Sequence, residues 1–316
     1  MKILVTNCLC CVAFFLLAQS PDLFPNIPKS NEFSYIYPQY VVDIQAVVKQ
    51  EYTRMTQWYE TYQKGETDES GAVWSQPVLS YQVCALSLSS KGIENATYYD
   101  PENNRLRRLD YYYINGLLSA IDEFRFDAAQ KERLILTDVY FYEADGRPVQ
   151  RTRQFAKDKA LREMLTYRFD AEHKLLKQKT EYAGKASKAE TMAWIATGKQ
   201  LLSWEYGSTV RRSVFQNGNE LIEMQEYELE NNLPKTVRSY GRNYLLLSQS
   251  EYHYEGDKLQ RVSSQLSQAA TISKDNPNMS NSIETYFFYN GEGLIERIMV
   301  EKGDLQEVFN YSYSQN

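Results

Sequence analysis

A short pattern recurs along this chain: an aromatic, any residue, an aromatic, an acid or amide, a turn, then an aliphatic. It reads Phe124-Arg125-Phe126-Asp127, Tyr140-Phe141-Tyr142-Glu143, Tyr167-Arg168-Phe169-Asp170, Tyr252-His253-Tyr254-Glu255 and Phe287-Phe288-Tyr289-Asn290. After a short polar or glycine-containing stretch, Leu134, Val149, Leu175, Leu259 and Leu294 follow in turn. Large residues on alternate positions belong to half-buried strands, and acid or amide with glycine belongs to tight turns. Asn115-Gly116, Asp145-Gly146, Asn217-Gly218, Glu255-Gly256 and Asn290-Gly291 mark the turns, and all but Glu255-Gly256 match primed-turn chemistry. The pattern therefore predicts a mainly all-β chain, a long antiparallel β-meander of hairpin repeats over about 98–313. Unequal steps between units exclude a solenoid of rigid period.

Ahead of the repeats, Val41, Ile44, Val48, Met55, Trp58, Tyr59 and Tyr62 sit mostly three or four apart, and Lys64-Gly65 follows. This spacing predicts one N-terminal helix at about 40–64, then a polar loop over 65–71. Val78–Leu88 reads as one long strand or a strand pair. Within the repeat field, 183–198 reads as a short helix or an excursion, and 267–282 as a polar loop or hairpin tip. Neither forces a domain boundary, so 40–316 is expected to be a single domain.

Residues 1–18 have the physics of an export signal: Lys2, a nearly all-apolar run from Ile3 to Ala18, and small residues at Ala18-Gln19-Ser20. The run is shorter than the roughly 20 apolar residues a spanning helix needs. Residues 19–39, with Pro21, Pro25, Pro28 and Pro38, read as an extended lead-in. Cys8, Cys10 and Cys11 lie near the start of the signal, after Asn7 rather than a small residue, so no lipid-attachment pattern is present. Cys84 is the cysteine left in the mature chain and reads as a buried small hydrophobe. A lone cysteine suits a bacterial exported protein better than a small secreted eukaryotic domain. The expected location is the periplasm, the cell surface or outside the cell.

The units Tyr252-His253-Tyr254-Glu255-Gly256-Asp257-Lys258-Leu259-Gln260-Arg261 and Phe287-Phe288-Tyr289-Asn290-Gly291-Glu292-Gly293-Leu294-Ile295-Glu296-Arg297 resemble the YD repeats of bacterial RHS-type proteins. They also resemble tyrosine-rich hairpin proteins exported by Bacteroidetes. The resemblance spans about 98–297 and implies hairpin architecture, not an activity.

Charge and chemistry narrow the function. Lys and Arg number 35 against 41 Asp and Glu, and loss of Lys2 with the signal makes the chain one unit more acidic. That balance argues against nucleic acid as a main partner. The chain contains no Gly-x-Ser-x-Gly, His-Glu-x-x-His, phosphate loop or Cys-x-x-Cys. Its two histidines, His173 and His253, read as a turn tip and an outward strand position. No cofactor, metal or catalytic residue is assigned. The 26 tyrosines suit cross-strand aromatic packing and a partly wet sheet.

These features point to an exported non-catalytic binding or structural protein of the bacterial cell envelope. Glycan or an envelope protein is the expected partner, bound through exposed aromatics, with Tyr111, Tyr112, Tyr113, Tyr140 and Tyr142 as candidate contacts. The alternatives are a periplasmic half-barrel carrier of lipid or an acylated partner, and, further off, a polysaccharide-acting enzyme. The carrier would require an apolar concave face with the helix as lid.

Overall fold

A computed structural model describes residues 44–315, apart from 69–70, 75–76, 158–160, 171–174, 183–199, 208, 218, 232 and 268–281. The export signal, the lead-in, His173 and the two interrupting segments therefore lie wholly or largely outside the described residues.

One short helix, α1 (Ile44–Lys49), precedes the strands. The first are β1 (Arg54–Asp68), β2 (Gly71–Trp74), β3 (Leu79–Ser89), β4 (Gly92–Tyr99), β5 (Arg105–Ile114) and β6 (Leu117–Phe126). Next come β7 (Glu132–Tyr142), β8 (Pro148–Phe155), β9 (Leu161–Phe169), β10 (Leu175–Tyr182), β11 (Gln200–Tyr206), β12 (Val210–Asn217) and β13 (Glu220–Glu230). The last are β14 (Leu233–Tyr240), β15 (Leu246–Glu255), β16 (Lys258–Leu266), β17 (Ser282–Tyr289), β18 (Ile295–Lys302) and β19 (Leu305–Ser314). From β3 to β19 each strand pairs antiparallel with the next. β1 lies between β3 and β19 and joins the ends of this meander into a ring. β2 is a short fold-back on the end of β1. Closure removes the free edges an open meander would expose.

The helix expected at 40–64 is confined to α1 in the described part. The segment from Arg54 is strand β1 instead. The same residues also fit a period of two: Met55, Gln57 and Tyr59 are buried, while Arg54 and Trp58 are exposed. Hydrogen bonding to two neighbours outweighs the apparent helical spacing, because β1 supplies both pairings that close the ring. The polar loop expected at 65–71 shrinks for the same reason, since β1 runs to Asp68 and β2 begins at Gly71. Val78–Leu88 resolves as the single strand β3.

The acid or amide of the repeat organises the loops. In 100–104, 127–131 and 290–294 the first residue accepts backbone N–H groups on its side chain: Asp100 from Asn104 (2.7 Å), Asp127 from Ala129 and Lys131 (3.0 Å each), Asn290 from Glu292 and Leu294 (3.0 Å each). The fourth residue of each loop takes a left-handed conformation: Asn103, Gln130 and Gly293, and likewise Gly146 in 143–147. The Asn290-Gly291 and Asp145-Gly146 dipeptides are thus parts of five-residue loops rather than two-residue primed turns. Asn115-Gly116, with both φ values positive (52° and 79°), is the primed turn its sequence predicts.

Among the described residues of the ring, one face of the strands points inward. A round wall of this many strands would leave a water-filled lumen. Here the inward Tyr111, Tyr140, Leu165, Tyr227, Ile298 and Phe309 are all 9% exposed or less and belong to one buried cluster, so these side chains pack together rather than line an open channel. The outward face is polar at mid-height, with ion pairs such as Arg108–Asp110, Arg212–Glu226 and Arg238–Glu228. No helix among the described residues is long and apolar enough to cross a membrane. A barrel crossing a membrane on its strands needs an apolar outer band, and these outward ion pairs interrupt one.

Candidate functional site

Alternation splits each aromatic triplet between the two faces. In most of them the first residue is buried inside: Tyr111, Tyr140, Tyr167, Tyr252, Phe287 and Tyr311; Phe124-Arg125-Phe126 is the exception, with Phe124 half-buried and Arg125 on the face of the buried Ile121 and Glu123. The third shares that inward face, half-buried, and often reaches back to the preceding hairpin. Tyr113 donates its hydroxyl to the Ile93 carbonyl (3.0 Å), Tyr142 to Leu118 (2.6 Å), Tyr289 to Leu259 (2.9 Å) and Tyr313 to Ile295 (2.5 Å). The middle residue faces solvent. His253 follows this rule, and its Nε2 lies 3.2 Å from Arg261 Nη2 on the outer wall.

The candidate contacts therefore do not share a surface. Tyr111 and Tyr140 are interior, and Tyr113 and Tyr142 are half-buried with their hydroxyls bonded to backbone. Tyr112 stands outside, 46% exposed. The outward partner that sequence reasoning passed over is Phe141, also 46% exposed, the middle residue between Tyr140 and Tyr142. Its signal was available in the period of two, which puts Tyr112 and Phe141 on one face and their flanking tyrosines on the other.

Around them the outer wall is mixed. Register places Tyr112, Ala120, Val139, Thr152 and Met164 in one row across β5–β9. Ile114, 65% exposed, lies two residues beyond Tyr112 on β5. The neighbouring row is polar. Asp110 and Asp122 face each other across β5 and β6. Arg108 forks onto Asp110 (Nε–Oδ1 and Nη2–Oδ2, 2.9 Å each) and reaches Glu132 through Nη1 (3.0 Å). Thr137 donates to Asp122 Oδ1 (2.7 Å). Partial burial, then the Asp122 and Asp110 carboxylates, push the Tyr112 phenol above the ordinary tyrosine range.

Beneath this wall lies a buried ionic layer. Asp138 faces Arg153, which faces Glu163, while Tyr140 faces Arg151. Arg153 grips Asp138 with two bonds of 2.7 Å, and Arg151 pairs with Glu163. Burial alone would lower both guanidinium pKa values, but the facing carboxylates hold them raised. These paired groups tie β7, β8 and β9 together on their inward face.

Among the described residues no cluster of His, Cys, Asp or Glu is arranged to hold a metal ion. Cys84 is buried and free, with its thiol pushed up to about 12 by burial.

No family model matches the chain, and no curated protein matches it. Three solved structures show distant likeness. A porin-like protein from Bacteroides uniformis ATCC 8492 is 8% identical, with 83% of this chain and 96% of that chain covered and a TM-score of 0.33. A protein of unknown function from Bacteroides fragilis NCTC 9343 is 12% identical over 54% of this chain and 99% of that one, with a TM-score of 0.19. A chain of the TcdB2-TccC3-Cdc42 structure is 10% identical over 75% of this chain and 21% of that one, with a TM-score of 0.14. At these scores none of the likenesses assigns a function to the chain.

Proposed function

We propose that this chain is an exported, non-catalytic binding protein of the bacterial cell envelope whose outer wall holds a glycan through Tyr112 and Phe141. The observation that carries the reading is the exposure of these two rings on strands whose opposite faces are locked inside by Tyr111 and Tyr140. A rigid exposed aromatic beside carboxylates and a threonine suits a sugar, which offers C–H faces for stacking and hydroxyls for hydrogen bonds. Export rests on the sequence of residues 1–18.

Less support goes to the half-barrel carrier alternative, because β1 pairs with both β3 and β19 and charged Asp138, Arg151 and Glu163 stand among the buried residues.

The test is intrinsic fluorescence of the mature chain titrated with a panel of neutral oligosaccharides, with a fluorescent fatty acid alongside. Saturable change with a glycan, lost in Tyr112→Ala/Phe141→Ala, supports the reading. Glycan binding that survives the double variant, or saturable uptake of the fatty acid alone, overturns it.

A further inference from the structure

Three arginines stand directly opposite one another across adjacent strands. Arg107 of β5 faces Arg125 of β6, and Arg125 faces Arg133 of β7. Directly opposed residues share a face with Cβ atoms about 4.5–5.5 Å apart, and like charges placed so repel. Folding alone does not favour such a row.

Nearby acids balance it only in part. Glu123 lies 3.2 Å from Arg125 Nε, and Asp127 lies 3.7 Å from Arg133 Nη2. Glu132 pairs with Arg108 instead. Arg107 has no ion pair among the described residues, and its guanidinium lies over the Tyr98 ring, 4.6 Å from the centroid. Arg105, two residues earlier on β5, also has none and lies over Phe126 at 4.4 Å. The side chains of Arg125 and Arg133 are 58% and 67% exposed. Stacking occupies the face of a guanidinium and leaves its N–H edges free to fork onto an oxyanion.

We infer that the Arg107–Arg125–Arg133 row, with Arg105 beside it, binds the acid groups of an oligosaccharide, either sulfate esters or uronate carboxylates. The row crosses three strands, about 10 Å at the usual strand spacing, which suits a few acid groups rather than a long polyanion. A nucleic acid would meet a chain of net charge −6 beyond the row.

This site is separate from the proposed glycan contact. Arg125 and Arg133 lie at the end of β6 and the start of β7, toward the 127–131 loop, whereas Tyr112 and Phe141 lie toward the turns at 115–116 and 143–147. The two readings therefore fail independently.

The experiment is fluorescence anisotropy of the full chain with labelled oligosaccharides of matched length: sulfated dextran, oligogalacturonate and neutral dextran. At least one charged probe should bind saturably and weaken with added salt, with the neutral probe at least tenfold weaker. Arg125→Gln/Arg133→Gln should weaken that binding at least tenfold, whereas Arg168→Gln, an exposed arginine elsewhere, should not change it. Which probe binds decides between sulfate and carboxylate. Equal binding of charged and neutral probes, full affinity in the double variant, or equal affinity for single-stranded DNA of the same charge would overturn the assignment.

Discussion

The Tyr113 hydroxyl sits where a side chain at Gly92 would begin. A Cβ built on Gly92 would lie 2.9 Å from that oxygen, and Gly92 has a φ of +126°, which L side chains rarely adopt. The hydroxyl is held there by the Ile93 carbonyl, so one hairpin is fitted onto the turn of the previous one. Tyr113→Phe should cost about 1 kcal/mol for the lost hydrogen bond. Gly92→Ala should cost about 1–3 kcal/mol in backbone strain before any clash. In urea denaturation the double variant should be less destabilised than the sum of the singles, because removing the hydroxyl relieves the contact. Simple additivity would show that the two residues are not coupled.

The Asp138–Arg153 pair should behave as a buried ion pair. Asp138→Ala should destabilise by about 3–5 kcal/mol, because it strands a largely buried guanidinium. Arg153→Met combined with Asp138→Leu should recover much of that loss, since apolar replacements remove both desolvation penalties. Chemical denaturation of the two variants beside the parent chain checks this, and a double variant no better than Asp138→Ala would refute it.

Alkali should unfold the chain through its tyrosines. Burial pushes the Tyr142 phenol up to about 12 and raises Tyr140, Tyr167 and Tyr313 as well. An unfolded tyrosine ionises near 10, so above that pH the unfolded state has lost protons that the folded state keeps. Stability from these groups is full below about pH 10 and is lost as pH rises through the folded values. Absorbance at the phenolate band should show these tyrosines ionising together with unfolding, and gradual ionisation in a still-folded chain would contradict their burial.

Cys84 should be silent toward a disulfide reagent in the folded state. Its buried thiol is pushed up to about 12, so little thiolate exists at neutral pH. Modification should proceed only as fast as the chain opens, and should become immediate in denaturant. Rapid reaction under native conditions would place Cys84 at the surface.

Much of the local design can be read in the residues themselves. The alternation in Tyr140-Phe141-Tyr142 dictates that the two tyrosines share a face and Phe141 takes the other, because side chains in a strand alternate. Asp127 and Asn290, followed by short polar stretches, specify loops that close on their own side-chain oxygens. Closure was not legible. It depends on β1 meeting β19, as where Gln57 Nε2 donates to the Tyr311 hydroxyl at 3.1 Å across 254 residues of sequence. The spacing of Met55, Trp58, Tyr59 and Tyr62 suits a helix and a strand alike, and only those distant partners favour the strand.

The choice of face was likewise tertiary. Nothing local distinguishes Tyr111 inside from Tyr112 outside until the ring closes and one side of its wall loses its water. The register of neighbouring hairpins, set by their turns and bulges, brings Asp138, Arg153 and Glu163 together from three strands and sets Arg107, Arg125 and Arg133 in line. The sequence by itself determined the period, the turns and the hairpins, since these involve neighbours along the chain. The tertiary structure decided the ring, its interior and which aromatics remain for a partner, since those follow from pairings between residues far apart in the chain.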